Sequence, residues 1–108
     1  MILMPIVYVA DMDRSVEFYE SLGFEVLSTS PYWSQLRAGD GAVLALHSAQ
    51  SGGRVELALV AEGRLEDVQE RHAAALARPI ADEAFGRSLV ISDPDGLRLQ
   101  VNKHDRDL

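Results

Sequence analysis

The sequence predicts an α+β protein built from two βαβββ modules. Three observations point there. The stretch from Pro5 to Val26 reads strand, helix, strand. A second strand and helix follow between Arg54 and Leu76, after a small, polar connector. Each strand–helix pair is then succeeded by short β-branched runs separated by turn signals. At 108 residues the chain is expected to form a single domain: module 1 at about 1–48, a linker at 49–53, module 2 at about 54–103 and a tail at 104–108.

The elements follow in order. Pro5 to Val9 is β-branched and aromatic, as strands are. Asp11 or Asp13 can cap a helix by accepting from a free N–H of its first turn. Phe18, Tyr19 and Leu22 share one helical stripe, and Gly23 sits where a helix ends with positive φ. Phe24 to Leu27 is extended again. Tyr32 to Arg37 is a strand carrying the only tryptophan, Trp33. Gly39-Asp40-Gly41 is a hairpin signal leading into a strand at Ala42 to His47. Ser48 to Gly53 is a flexible connector. Arg54 to Val60 reads as a strand. Leu65 to Leu76 reads as a helix with Leu65, Val68, His72, Ala75 and Leu76 on one stripe, stopped at Arg78-Pro79. A short strand is expected within Ile80 to Phe85, and Gly86 marks a bend. Arg87 to Ser92 and Leu97 to Asn102 are strands joined by Asp93-Pro94-Asp95-Gly96, a strong turn. The second half thus repeats the element order of the first.

Composition excludes several classes. Hydrophobic residues make up 47% and charged residues 25%, an ordinary globular balance. No apolar run approaches the roughly 20 residues of a membrane span. Met1-Ile2-Leu3-Met4 lacks a basic region and a cleavage site, so no signal peptide is expected. With no cysteine, disulfides, thiolate catalysis and cysteine zinc sites are excluded, which suits a cytoplasmic protein. The net charge of −7 argues against nucleic acid as a partner and suits solubility or attraction of a cationic small molecule. No phosphate loop or nucleophile elbow is present. The acidic pairs Glu17/Glu20 and Glu66/Glu70 read as solvated helix faces.

Two sets of motifs bracket the chain. One is Val9-Ala10-Asp11-Met12-Asp13-Arg14-Ser15 leading to Phe18-Tyr19 and Leu22-Gly23-Phe24. The other is Phe85-Gly86-Arg87 leading to Asp93-Pro94-Asp95-Gly96. In this order the sequence resembles the vicinal oxygen chelate superfamily, which includes glyoxalase I, the extradiol dioxygenases and the bleomycin-resistance proteins. The resemblance implies curved, mainly antiparallel four-stranded sheets around a concave cleft, and a homodimer with ligand clefts at its interface.

The resemblance also implies where metal ligands stand in metal-dependent members. Those positions fall here at Met4, Ala45, Val55 and Gln100. Methionine, alanine and valine are not ligands for a catalytic divalent ion, and Gln100 alone cannot hold one. His47 and Glu56 would enter only if the register were wrong by one or two residues. No metal and no other cofactor is therefore expected, and no catalytic residue is assigned.

Strand alternation assigns the remaining faces. With Ala45 and Gln100 in the cleft, the ligand-binding set becomes Tyr8, Trp33, Gln35, His47, Arg98, Gln100 and Asn102. Ile6 also faces the cleft, while Val7, Val9, Leu36, Leu44, Leu46, Leu99 and Val101 are core. Trp33 fits a stacking platform, a core position or a dimer interface. His47 fits a strand-end histidine or a general base without an evident orienting partner. Arg98 fits a surface charge or a carboxylate anchor. His72 packs at the edge of its helix and His104 lies in the tail.

The expected function is non-catalytic binding of a small organic ligand, aromatic or cationic, as in the antibiotic-sequestering bleomycin-resistance branch. No nucleic acid or membrane partner is expected. The alternative is a metal-dependent glyoxalase-like lyase or dioxygenase. A third reading has no small ligand and a cleft filled by Met4, Ile6 and Trp33.

Overall fold

A computed structural model of the chain describes residues 1–105. Its elements are β1 (Ile2–Val9), α1 (Met12–Ser21), β2 (Glu25–Thr29), β3 (Trp33–Arg37), β4 (Val43–Ser48), β5 (Arg54–Val60), α2 (Leu65–Arg71), β6 (Leu76–Glu83), β7 (Gly86–Ser92) and β8 (Arg98–His104). The described residues are thus α+β, with the βαβββ order twice over. They divide into two compact units: Met4–Glu56, and Met1–Leu3 together with the residues from Leu57 on.

In the first unit the strands lie in the order β2-β3-β4-β1. β2/β3 and β3/β4 are antiparallel, whereas β1 runs parallel to β4, as a strand returning past a helix must. α1 starts because Asp11 Oδ1 accepts from Arg14 N at 3.1 Å. It ends at Leu22, after which Gly23 takes φ +99°. The helix packs Met12, Val16 and Tyr19 onto Val7, Val9, Leu36, Leu44 and Leu46. The expected stripe is therefore rotated. Tyr19 packs, but Phe18 and Leu22 remain 57% and 60% exposed. Fully burying a side chain such as Leu36 or Leu46 contributes about 1.5–3 kcal/mol, more than helix propensity can. Asp11→Ala should cost about 1 kcal/mol by freeing the Arg14 N–H. A chemical-denaturation midpoint checks this, and an unchanged midpoint would mean that Asp13 takes over the cap.

In the second unit the order is β5-β8-β7-β6, again with one parallel pair, β5/β8. Val101, Leu89, Leu65 and Ala61 form the buried centre, with Leu59, Val68, Leu76, Ile80 and Ile91 around it. α2 is shorter than the sequence predicts. It stops at Arg71, passes through a 3-10 turn at Ala73–Ala75, and gives way to β6 at Leu76. Leu76 pairs with Ile91, so strand pairing captures the end of the expected helix. Pro79 lies in the irregular stretch between the Arg78 and Ala81 pairings, on the outermost strand of its unit, where a missing N–H is tolerated. Glu66 is not merely solvated: both its oxygens accept from Arg87 Nη2, at 2.8 and 3.1 Å.

The Asp93-Pro94-Asp95-Gly96 turn forms as expected. Asp93 Oδ1 accepts from Asp95 N and Leu97 N at 2.9 and 2.8 Å. His104, expected in the tail, closes β8 instead, paired with Gly86. The rest of that expected tail, 106–108, lies outside the described residues.

The His104 ring lies 5.1 Å from the Phe85 ring, and its Nδ1 is buried with no hydrogen-bond partner among the described residues. Burial holds this imidazole below its ordinary range, because the charged form is poorly solvated there. The unfolded chain thus takes up the proton first as pH falls. His104 contributes stability that is present above the unfolded pKa of about 6.5 and lost as pH drops through the depressed folded value. Urea midpoints measured downward from pH 7 should fall more steeply for the parent than for His104→Gln. Equal slopes would remove this account.

Candidate functional face

In the first unit, the sheet face opposite α1 carries a cross-strand row. Trp33 on β3 pairs with His47 on β4, and His47 pairs with Tyr8 on β1. The Tyr8 and His47 rings lie 5.2 Å apart, tilted by 37°. Trp33 meets His47 edge-on, at 6.0 Å and 87°. The next row on this face is Gln35, Ala45 and Ile6. Its polar member is tied to the first row, since Trp33 Nε1 donates to Gln35 Oε1 at 2.9 Å. Alternation produces this arrangement because Ser34, Leu36, Leu46, Val7 and Val9 take the helix side.

Two side chains complete the row. Tyr8 Oη donates to Glu56 Oε2 at 3.0 Å, and the Arg54 guanidinium lies 4.0 Å above the Tyr8 ring. Burial first, then the Glu56 hydrogen bond and charge, pushes the Tyr8 phenol above its ordinary value. His47 Nδ1 lies 2.7 Å from Ser48 O. A carbonyl only accepts, so a proton is assigned to Nδ1, and in that tautomer Nε2 is the acceptor.

In the second unit, the face opposite α2 is polar. Ser88 pairs with Asn102, and Val90 with Gln100. Gln100 Nε2 donates to Asn102 Oδ1 at 2.8 Å. Ser88 Oγ donates to Glu83 Oε1 at 2.7 Å and accepts from Arg78 Nη2 at 2.6 Å. Arg98 sits exposed at the start of β8, opposite Ser92.

The seven residues singled out from the sequence thus fall into two groups. Tyr8, Trp33, Gln35 and His47 converge in the first unit. Gln100 and Asn102 hydrogen-bond to each other in the second, with Arg98 at the end of their strand. Sequence reasoning missed Arg54, Arg78, Glu83 and Ser88. The signal for Arg54 was alternation within β5, which puts Arg54 and Glu56 on one face of the strand and Val55 on the other.

The positions expected from the resemblance to carry metal ligands are Met4, Ala45, Val55 and Gln100, with Glu56 beside Val55 on β5. Met4 and Ala45 are buried and donate nothing to a hard cation, and Glu56 is engaged by Tyr8. Among the described residues no three His, Asp or Glu side chains group to hold a metal ion.

A family model described as Glyoxalase/Bleomycin resistance protein/Dioxygenase superfamily matches residues 2–85. No curated protein matches the chain. Among solved structures, an NAD-dependent benzaldehyde dehydrogenase from Legionella pneumophila is similar, with a TM-score of 0.77 at 21% identity, over 95% of this chain and 99% of that one. A protein from Staphylococcus aureus gives 0.65 at 14% identity, over 95% and 96%. A glyoxalase/bleomycin resistance protein/dioxygenase superfamily member from Vibrio splendidus 12B01 gives 0.64 at 21%, over 94% and 97%. At such identities the likeness is one of fold, and activity has to be argued from the site. The family match spans most of the chain and agrees with the repeated βαβββ order: the protein belongs to the Glyoxalase/Bleomycin resistance protein/Dioxygenase superfamily.

Proposed function

We propose that this protein binds a small, partly planar organic molecule against the Tyr8–His47–Trp33 row and does not transform it through a metal. The observation that carries the reading is the row itself. Three rings stand on adjacent strands of one sheet face, on the side that no helix of their unit covers, with polar groups at their edges. Aromatic surface supplies contact area, and a few fixed polar atoms orient the ligand. The apolar side chains at Met4 and Ala45 support a site without a catalytic ion.

The same reading makes the protein a cytoplasmic homodimer that sequesters an antibiotic-like molecule. In this reading Gln100, Asn102 and Arg98 form a separate polar contact surface within their own unit. The competing function is a metal-dependent lyase or dioxygenase. It draws on one observation: Glu56 hydrogen-bonds the same Tyr8 ring that His47 packs against, so two donor residues flank one phenol.

Trp33 emission is the direct probe, since this is the only tryptophan. Titration with a panel of aromatic compounds should give a saturable change for some of them. Divalent ions titrated alone should bind no tighter than about micromolar, the weak end for a site with few ligands. One first-row ion held per chain or per dimer would favour the enzyme instead. Sedimentation across a concentration series tests the dimer.

A further inference from the structure

Arg54 covers one of the aromatic surfaces that this row offers a ligand, the Tyr8 ring. Its guanidinium sits over the Tyr8 ring at 4.0 Å, and its side chain is exposed. A cation over a ring at an exposed site is held weakly, by roughly two- to fivefold in an equilibrium constant. Arg54 forms no ion pair with Glu56, although the Glu56 carboxylate meets the same phenol from its hydroxyl end.

The hydrogen-bond inventory of the row is lopsided. The Tyr8 hydroxyl proton is committed to Glu56, the Trp33 N–H to Gln35 and the His47 Nδ1–H to Ser48 O. What the row still offers is chiefly acceptors: the second oxygen of Glu56 and Nε2 of His47, with the Gln35 amide N–H₂ as the one side-chain donor besides Arg54 itself. An anionic ligand would find the hydroxyl and indole protons already taken and a carboxylate beside it. A planar cation bearing N–H groups would find a ring face, a half-buried carboxylate and an imidazole lone pair.

We infer that Arg54 is a built-in stand-in for the ligand, and that the ligand carries a planar, N–H-bearing cation of the amidinium, guanidinium or protonated aminoheterocycle class. Binding displaces Arg54 from the Tyr8 ring. The incoming cation takes its place over the ring and donates to Glu56 and His47. Arg54 is then a specificity-determining side chain that competes with weak cations and yields to those matching the acceptors. This rests on the binding function proposed above and adds the ligand's charge class to it.

The test compares benzamidinium with its neutral isostere benzamide and with benzoate. Trp33 emission and calorimetry are the readouts, on the full chain. Benzamidinium should bind at least tenfold tighter than benzamide, and benzoate weakest. Arg54→Ala should tighten benzamidinium two- to fivefold by removing the competitor. Glu56→Gln keeps an acceptor for the Tyr8 hydroxyl, yet should erase the preference for benzamidinium over benzamide. Both variants should remain fully folded under the binding conditions, which keeps the comparison one of binding. Preferred binding of benzoate, lost in Arg54→Ala, would make Arg54 an anion anchor and overturn the inference while leaving a binding site in place. Equal affinity for all three, or an Arg54→Ala variant that binds benzamidinium no tighter, overturns it as well. Silence of all three by calorimetry removes the binding function together with the inference.

Discussion

Replacing Gly86 by alanine is expected to lower the unfolding free energy by about 2–6 kcal/mol, the sum of backbone strain and overpacking at about 1–3 kcal/mol each. Gly86 opens β7 with φ +150°, a conformation that side-chain-bearing residues rarely adopt. A Cβ there would stand 2.2 Å from Lys103 O and 2.9 Å from Asp105 N. Both obstacles are backbone atoms, so no rotamer change relieves the clash, and the start of β7 must lift off β8. The pairing at risk is Gly86 with His104, and two residues inward it becomes Ser88 with Asn102. Damage at Gly86 thus propagates toward the Gln100–Asn102 hydrogen bond on the polar face. Gly63 is the control: its added Cβ would meet nothing within 4 Å, so Gly63→Ala should change stability by less than about 0.5 kcal/mol. Urea unfolding of both variants decides it. A Gly86→Ala midpoint as close to the parent as that of Gly63→Ala would mean that β8 yields without cost.

The sequence marked Gly86 as a bend, but the reason for glycine there is a strand that approaches from far along the chain, which local pattern does not reveal. The same division runs through the whole fold. Faces of β1, β3 and β4 were legible because strands alternate strictly: Val7, Val9, Leu36 and Leu46 pack under α1, and Tyr8, Trp33, Gln35 and His47 therefore face the other way. Helices were harder. α1 is ten residues long, and three apolar side chains near its end suggest a stripe. Yet the face that packs is chosen by what lies beneath the first turn, where Met12 accepts a hydrogen bond from the buried Ser34 hydroxyl. Leu22 is already the C-cap and is left outside. α2 is shorter than its pattern suggests because alanines sustain helix propensity through Ala75, whereas Leu76 gains a strand partner in Ile91. In β5 both registers carry apolar residues, Val55 and Leu57 in one and Ala58 and Val60 in the other. Alternation alone could not choose, and it is the contacts of Arg54 and Glu56 with Tyr8 that bring that register to the row.

Trp33→Ala should weaken binding of any ligand of the row by about 1–3 kcal/mol, or roughly 5- to 150-fold. It should do so with the fold nearly intact. The indole is only partly buried, meets His47 edge-on and donates to Gln35 Oε1. Its neighbours Ser34 and Leu36 are buried on the opposite face, so the core does not rest on it. Truncation therefore opens a solvent-facing gap. It does not create the sealed cavity that makes loss of a buried aromatic cost about 3–5 kcal/mol. Calorimetry has to replace emission in this variant, because the chain has no other tryptophan. Trp33→Phe separates the two things the indole supplies. It keeps an aromatic face for stacking and removes the N–H, freeing Gln35 Oε1 as one more acceptor toward the ligand. A stacking platform predicts that phenylalanine retains most of the affinity. If Trp33→Ala instead unfolds the protein by about 3–5 kcal/mol, the indole is a structural wedge between β3 and β4. If the variant folds and binds as tightly as the parent, the ligand lies elsewhere, and the polar Ser88–Asn102 face of the second unit becomes the place to look.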